Sequence, residues 1–156
     1  MESFSGPVTT IRDLTPDVRQ IDLTLLAPPD IHFAPGQFIS FEVDREGSLT
    51  PATRPYSIAS PPSLSKQIQL VFNRVPGGPG SSYLFSLQEG FDTTFKGPVG
   101  SFTLRDSARD ILFVATGTAS HRYAQCCGRS LVEPQHVESL CFGVFVASAT
   151  STIRAS

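Results

Sequence analysis

Apolar and polar residues alternate in short stretches along most of the chain. Ile21, Leu23 and Leu25 alternate with Asp22 and Thr24 before the breaker Ala27-Pro28-Pro29-Asp30. A period of two marks a strand with one buried and one wet face. Ile39, Phe41 and Val43 alternate with Ser40 and Glu42 after the turn Pro35-Gly36, and Ile68, Leu70 and Phe72 alternate with Gln67, Gln69 and Val71. Weaker patterns predict further strands over residues 4–14, 53–60, 92–96 and 100–104. So many short strands at this spacing predict an all-β domain, a closed antiparallel barrel, because closure removes the edges on which chains aggregate.

Two stretches break the alternation. Residues 79–87 run Pro-Gly-Ser-Ser-Tyr-Leu-Phe-Ser-Leu, which predicts one short helix capped by Ser81 or Ser82 with Leu84 and Leu87 three apart on its inner face. Ile111-Leu-Phe-Val-Ala115 is apolar on both faces and runs into Thr116-Gly117-Thr118. That pattern predicts a buried parallel strand meeting a phosphate-binding turn.

Composition narrows the class. At 156 residues the chain has room for one ordinary domain, or one domain and a fragment of a second. A net charge of -2 leaves no electrostatic footprint for nucleic acid or an anionic membrane. Twelve Phe without Trp, with thirteen Pro and twelve Gly, favour strands and turns over long helices. No basic-then-apolar leader opens the sequence, and the longest apolar stretch, residues 140–149, is too short to span a bilayer. A cytoplasmic protein is expected. The three cysteines, Cys126, Cys127 and Cys141, form no CxxC pair, so neither a disulfide framework nor a metal site is expected.

The chain changes character near residue 118. Up to that point it holds both Lys, every Asp, ten of the twelve Gly and twelve of the thirteen Pro. Beyond it lie all the Cys and two of the three His, with no sustained period apart from the apolar run near the end. His121, Cys126, Cys127 and His136 lack the paired spacing that a zinc site needs.

Five patches follow one another in order: Pro35-Gly-Gln-Phe38, Arg54-Pro-Tyr-Ser-Ile-Ala-Ser60, Gly77-Gly-Pro-Gly-Ser-Ser-Tyr-Leu84, Gly97-Pro-Val-Gly-Ser-Phe102 and Ile111-Leu-Phe-Val-Ala-Thr-Gly-Thr118. Each alone has an ordinary structural reading: Arg54 a solvated cation, Tyr56 a rim aromatic, residues 77–84 a capped helix after a turn. Together the chain resembles the ferredoxin-NADP reductase superfamily, in particular the FAD-binding reductase components that feed oxygenases. The resemblance implies that the all-β domain is a closed antiparallel six-stranded Greek-key barrel that binds FAD, over residues 1–107, with the first strand and turn of a nucleotide-binding α/β domain at 108–118. It also implies NAD(P)H as hydride donor in the intact family and a protein electron acceptor such as a ferredoxin or an oxygenase component.

The resemblance also assigns roles that residue chemistry supports. Arg54 would pair with the flavin pyrophosphate, since a guanidinium fork matches phosphate oxygens. Tyr56, with Pro55 beside it, would lie against the flavin ring. Ser57 would bond near flavin N5, the atom that receives hydride, and is the expected catalytic residue. Gly78 and Gly80 would let backbone approach the ligand, and Ser81 with the helix-start amides would hold its phosphates. Asn73 stands beside that turn. Thr116, Gly117 and Thr118 would open the turn under the nicotinamide dinucleotide. The same Arg, Tyr and Ser suit the shorter FMN. Gly97 to Phe102 is expected to be a bent strand that closes the barrel, and His32 a surface residue.

The match stops inside the last patch. The family turn runs Gly-Thr-Gly-Ile-Ala-Pro, whereas Gly117 is followed by Thr-Ala-Ser-His-Arg-Tyr-Ala124. One coding of Thr-Gly-Ile-Ala-Pro-Leu-Arg, ACC GGC ATC GCA CCG CTA CGC, becomes ACC GCA TCG CAC CGC TAC GC on loss of one G. It then reads Thr-Ala-Ser-His-Arg-Tyr-Ala. Residues 119–156 are therefore expected to be an out-of-frame tail without function, and the chain to bind flavin with little turnover by NAD(P)H. Two alternatives stand beside this: a flavin module working with a separate nucleotide-binding partner chain, and a barrel that binds no flavin.

Overall fold

The computed structural model describes residues 1–44, 47–103, 111–116, 142–147 and 153–155. Six strands build the main sheet: β1 (Glu2–Thr15), β2 (Val18–Thr24), β3 (Phe38–Val43), β4 (Ala52–Ser57), β5 (Gln67–Asn73) and β6 (Asp92–Val99), with one helix, α1 (Pro79–Ser86), between β5 and β6. Their order across the sheet is β4-β3-β6-β1-β2-β5, and every neighbouring pair is antiparallel.

The sheet curls until its two edge strands meet. Just past β4, Ile58 bridges Leu70 of β5, and the Ala59 N–H donates to the Gln69 carbonyl at 2.6 Å. The expected barrel is thus closed, but at one short junction. Inside it the alternating residues form the core: Phe4, Val8, Ile21, Leu23, Ile39, Phe41, Ile68, Leu70 and Phe95 are all buried. Phe4 stacks on Phe95 with ring centroids 5.6 Å apart, and Phe41 contacts Phe95, Tyr56 and Tyr83. Tertiary closure therefore follows from the period-two pattern, because each strand delivers its apolar set to one face.

The helix plugs the barrel mouth, and its sequence fixes how it sits. Leu84, on its inner face, and Leu87, just past its end, are buried. The Tyr83 hydroxyl bonds Thr93 of β6 at 2.6 Å. At the C-terminal end Arg19 donates to the Phe85 carbonyl at 2.9 Å, meeting an otherwise unpaired acceptor and the negative end of the helix dipole. Asp13 holds that guanidinium through two bonds, 2.7 and 3.0 Å. The guanidiniums of Arg19 and Arg74 each lie 4.4 Å from the centre of the Phe85 ring.

Two local expectations are corrected. The helix cap is Gly78, with Pro79 as the first helical residue and no side-chain cap bond, so neither Ser81 nor Ser82 is the cap. Proline's fixed φ suits the first helical position, which places the cap three residues upstream of Ser81. Of the strand expected over residues 100–104, the described part, 100–103, is not a strand: β6 ends at Val99, and Gly100 turns the chain with φ +120°. His32 is exposed, as expected. The turn before β3 needs its glycine: Gly36 has φ +96°, and a Cβ there would lie 1.9 Å from the Phe102 carbonyl oxygen.

Beyond the barrel, β7 (Ile111–Thr116), β8 (Phe142–Ala147) and β9 (Ile153–Ala155) form a second sheet in that order. The strand at 111–116 is present, but its neighbour is antiparallel rather than parallel, with Val114 opposite Val144. A parallel neighbour needs a crossover back to the same end, whereas two strand-forming apolar runs can pair antiparallel once the chain simply returns. The rest of residues 104–141, including the turn at Gly117 and Thr118, lies outside the described residues. Among the described residues no helix is long and apolar enough to cross a membrane.

Candidate functional site

The edge strands β4 and β5 touch at Ile58 and Leu70 and then part, and the wedge between them is a cleft. Its volume is about 470 Å³, and Arg54, Pro55, Tyr56, Ser57, Asn73, Gly78, Gly80 and Ser81 all line it. Eight residues predicted from three separate segments are therefore brought to one place. Thr116 ends β7, and Gly117 and Thr118 fall outside the described residues.

Among the described residues the wedge leaves main-chain groups without a partner. The Ile58 N–H points back to the Gln37 carbonyl, and the Ala59 N–H points across to Gln69. Since successive residues of a strand turn opposite ways, the Ser57 N–H and the Pro55 carbonyl face the β5 side, into the cleft. Pro55, which has no N–H to pair, belongs on such an edge. Among the described residues the Ser57 hydroxyl has no partner.

Helix α1 supplies the wide end. Its first intrahelical bond runs from the Ser82 N–H to the Gly78 carbonyl at 3.0 Å, so the N–H groups of Gly80 and Ser81 have no helical acceptor. They add two donors and the positive end of the helix dipole to a cleft that also contains a guanidinium. Arg54 donates to the Thr53 carbonyl, and among the described residues no carboxylate pairs with it.

Tyr56 forms one wall. Its ring meets Phe41 and Phe72 edge-on at 5.9 and 5.6 Å, which fixes its plane. Burial pushes its phenol above the ordinary value while the Arg54 charge pulls weakly the other way, so it stays neutral at physiological pH. Gly80 is where helix and strand touch: a Cβ on it would lie 2.6 Å from the Tyr56 hydroxyl oxygen and 2.9 Å from Arg54 Cγ. Gly80→Ala is accordingly expected to displace both side chains and weaken any anionic ligand of this cleft about tenfold or more, measured by equilibrium titration, with circular dichroism showing the barrel retained.

Sequence reasoning missed the apolar lining, Ile58, Ala59, Val71, Phe72 and Val75. A signal was present at one of them: Val71 is an apolar residue at a position where Gln67 and Gln69 mark the solvent face. Among the described residues no cluster of three or more His, Cys, Asp or Glu could hold a metal ion.

Apolar walls, a flat aromatic, a guanidinium with no carboxylate partner among the described residues and helix-start amides with no helical acceptor suit a ring-bearing organic phosphate, and a closed antiparallel barrel that carries them is a module for a nucleotide-type cofactor. The chain belongs to the oxidoreductase FAD-binding domain family, whose model matches residues 5–104. It is 38% identical over 119 residues to ferredoxin--NADP reductase B of Sorangium cellulosum, covering 75% of this chain and 48% of that protein. It is 37% identical over 103 residues to the glycine betaine monooxygenase reductase subunit of Pseudomonas aeruginosa, covering 65% and 28%. Against the reductase component DmpP of phenol 2-monooxygenase from a Pseudomonas species it is 30% identical over 120 residues, covering 76% and 32%. The chain thus spans about half or less of these relatives. Among solved structures it is similar to the Amycolatopsis cytochrome P450 reductase GcoB, with TM-score 0.57 and 28% identity over 67% of this chain and 30% of that one.

Proposed function

We propose that the β4–β5 cleft binds FAD and that residues 1–107 act as the flavin half of an NAD(P)H-dependent reductase that passes electrons to a protein acceptor, a ferredoxin or an oxygenase component. One observation carries this reading. Arg54, Tyr56, Ser57 and the unpaired N–H groups of Gly80 and Ser81 converge on a single cleft. The relatives add support, being reductases and reductase components of oxygenase systems by name.

The residues fit the cofactor. Arg54 and the two helix amides would hold its phosphates, as a fork and as aligned dipole donors. Tyr56, backed by Phe41 and Phe72, would present a rigid face to its ring. Ser57 offers a hydroxyl and an N–H at the narrow end, where a ring nitrogen that gains a proton on reduction can be held. Asn73 and Pro55 border the same space. When bound, the flavin supplies the step between two-electron hydride chemistry and single-electron transfer. FMN would keep every contact named here.

Hydride delivery is assigned to a nucleotide-binding unit other than residues 1–107, and Thr116, Gly117 and Thr118 to the phosphate turn of that unit in a complete relative. The antiparallel pairing of β7 supports a second arrangement, in which a separate chain brings the nicotinamide, because a doubly wound dinucleotide seat requires parallel neighbours. The out-of-frame origin of residues 119–156 belongs to the same proposal. Finding no one-base change in the gene that restores Gly-Ile-Ala-Pro after Thr118 would remove it.

Mixing the FAD-loaded chain rapidly with NADH or NADPH is the test. The flavin absorbance is expected to persist over seconds and to bleach with dithionite. Rapid bleaching by either nucleotide would overturn the assignment of hydride delivery to another unit.

A further inference from the structure

The phosphate seat proposed above depends on a turn that no cap side chain holds. Gly78 occupies the N-cap position and Pro79 follows it, so neither has a side chain that can bond the first helical amides. The turn is held instead by Ser81. Its Oγ accepts the Val75 N–H at 3.0 Å and lies 3.1 and 3.2 Å from the carbonyl oxygens of Val75 and Gly78. The Gly78 N–H also donates to the Val75 carbonyl, at 2.9 Å. One side chain therefore ties both ends of the turn that leads into α1.

A serine hydroxyl has a single proton, and here two turn carbonyls share it. Phosphate oxygens are acceptors only, so a direct contact would take that proton from the turn. Ser81 is 4% exposed, and groups that give up a bond at that depth are left without solvent to replace it. Its main-chain N–H and that of Gly80, by contrast, have no helical acceptor. A Cβ on Gly78 would stand 3.1 Å from Ser81 Oγ and 3.0 Å from Val75 Cβ, so the hydroxyl packs against bare backbone.

Resting on the flavin reading, we propose that Ser81 is a positioning residue rather than a ligand. Its hydroxyl staples the Val75–Gly78 turn, and the staple aims the N–H groups of Gly80 and Ser81 at the phosphate of a flavin nucleotide. The ligand class that depends on Ser81 is thus the phosphorylated flavins, not the flavin ring.

The test uses the full chain and its Ser81→Ala and Ser81→Thr variants, titrated with riboflavin, FMN and FAD by flavin fluorescence. Hydrogen exchange at the Val75 amide is followed without ligand. In Ser81→Ala the affinities for FMN and FAD are expected to fall about tenfold. Riboflavin should stay within about twofold, and Val75 should exchange at least about tenfold faster. Ser81→Thr, which keeps the hydroxyl, should restore both the phosphate-dependent affinity and the protection. Loss of FMN and FAD affinity with Val75 exchange unchanged would overturn the staple in favour of a direct contact. So would equal losses for all three flavins, or none. Failure of the wild-type chain to bind any flavin would instead overturn the flavin reading and the purpose given to the staple, while Val75 exchange would still show whether Ser81 holds the turn.

Discussion

Arg54→Ala is expected to lower FAD affinity about a hundredfold and leave riboflavin affinity within about twofold, because the guanidinium addresses the phosphates and not the ring. The site around it makes a large effect reasonable. Arg54 is a half-buried cation that bonds its neighbour's carbonyl, and among the described residues no carboxylate neutralises it. It also lies directly under Gly80, so the charge and the two helix amides act on one volume. Arg54→Lys should recover only part of the affinity, since an ammonium is a point charge without the planar fork. Raising salt should weaken FAD binding in the wild type and matter much less in Arg54→Ala. Isothermal titration at two salt concentrations reads all of this. Unchanged FAD affinity in Arg54→Ala would remove this residue from the site.

Phe41→Ala should carry the largest effect on stability, about 3–5 kcal/mol, the usual range for emptying a buried phenyl position. Phe41 is fully buried on β3, and its ring contacts Phe95 on β6, Tyr56 on β4 and Tyr83 on α1, each at 5.9 Å between centroids. It therefore joins the barrel wall, the tyrosine that lines the cleft and the plugging helix. Denaturant unfolding followed by circular dichroism should show the loss, and the melting temperature should fall by about 10 °C or more. Phe91→Ala is the control: at 59% exposure the same truncation should cost under about 1 kcal/mol. Comparable losses in the two variants would mean that the core is not organised around the ring of Phe41.

The barrel could be read from the chain because its strands obey a single rule. Ile21, Leu23, Ile39, Phe41, Ile68 and Leu70 occupy alternate positions and are all buried. The rule failed where local chemistry competed with it. Serines at 81 and 82 suggested a cap, yet proline at 79 fixed the helix start, and Ser81 bonded the turn instead. Residues 100–104 resembled a strand, but a positive φ at Gly100 ends β6 before them. The parallel neighbour expected of β7 is not the one it takes, since an apolar strand pattern does not fix the direction of its partner.

The site was legible for a different reason. Arg54, Tyr56 and Ser57 have ordinary readings when taken alone, and they and the Gly-rich turn became candidates only through the family resemblance carried by five patches in order. That these two segments share a cleft depended on where β4 and β5 separate, which is set by the single bridge at Ile58 and Leu70. No local pattern encodes such a separation. The apolar lining followed from the same geometry, with only Val71 standing out beforehand.

Binding of FAD by the isolated chain is the central claim, and equilibrium titration with the released cofactor identified by mass tests it most directly. The account predicts saturable binding of one FAD per chain, with a perturbed flavin spectrum and loss of that binding in Arg54→Ala. A folded chain that leaves the spectrum and fluorescence of both FAD and FMN unchanged at high concentration would contradict it.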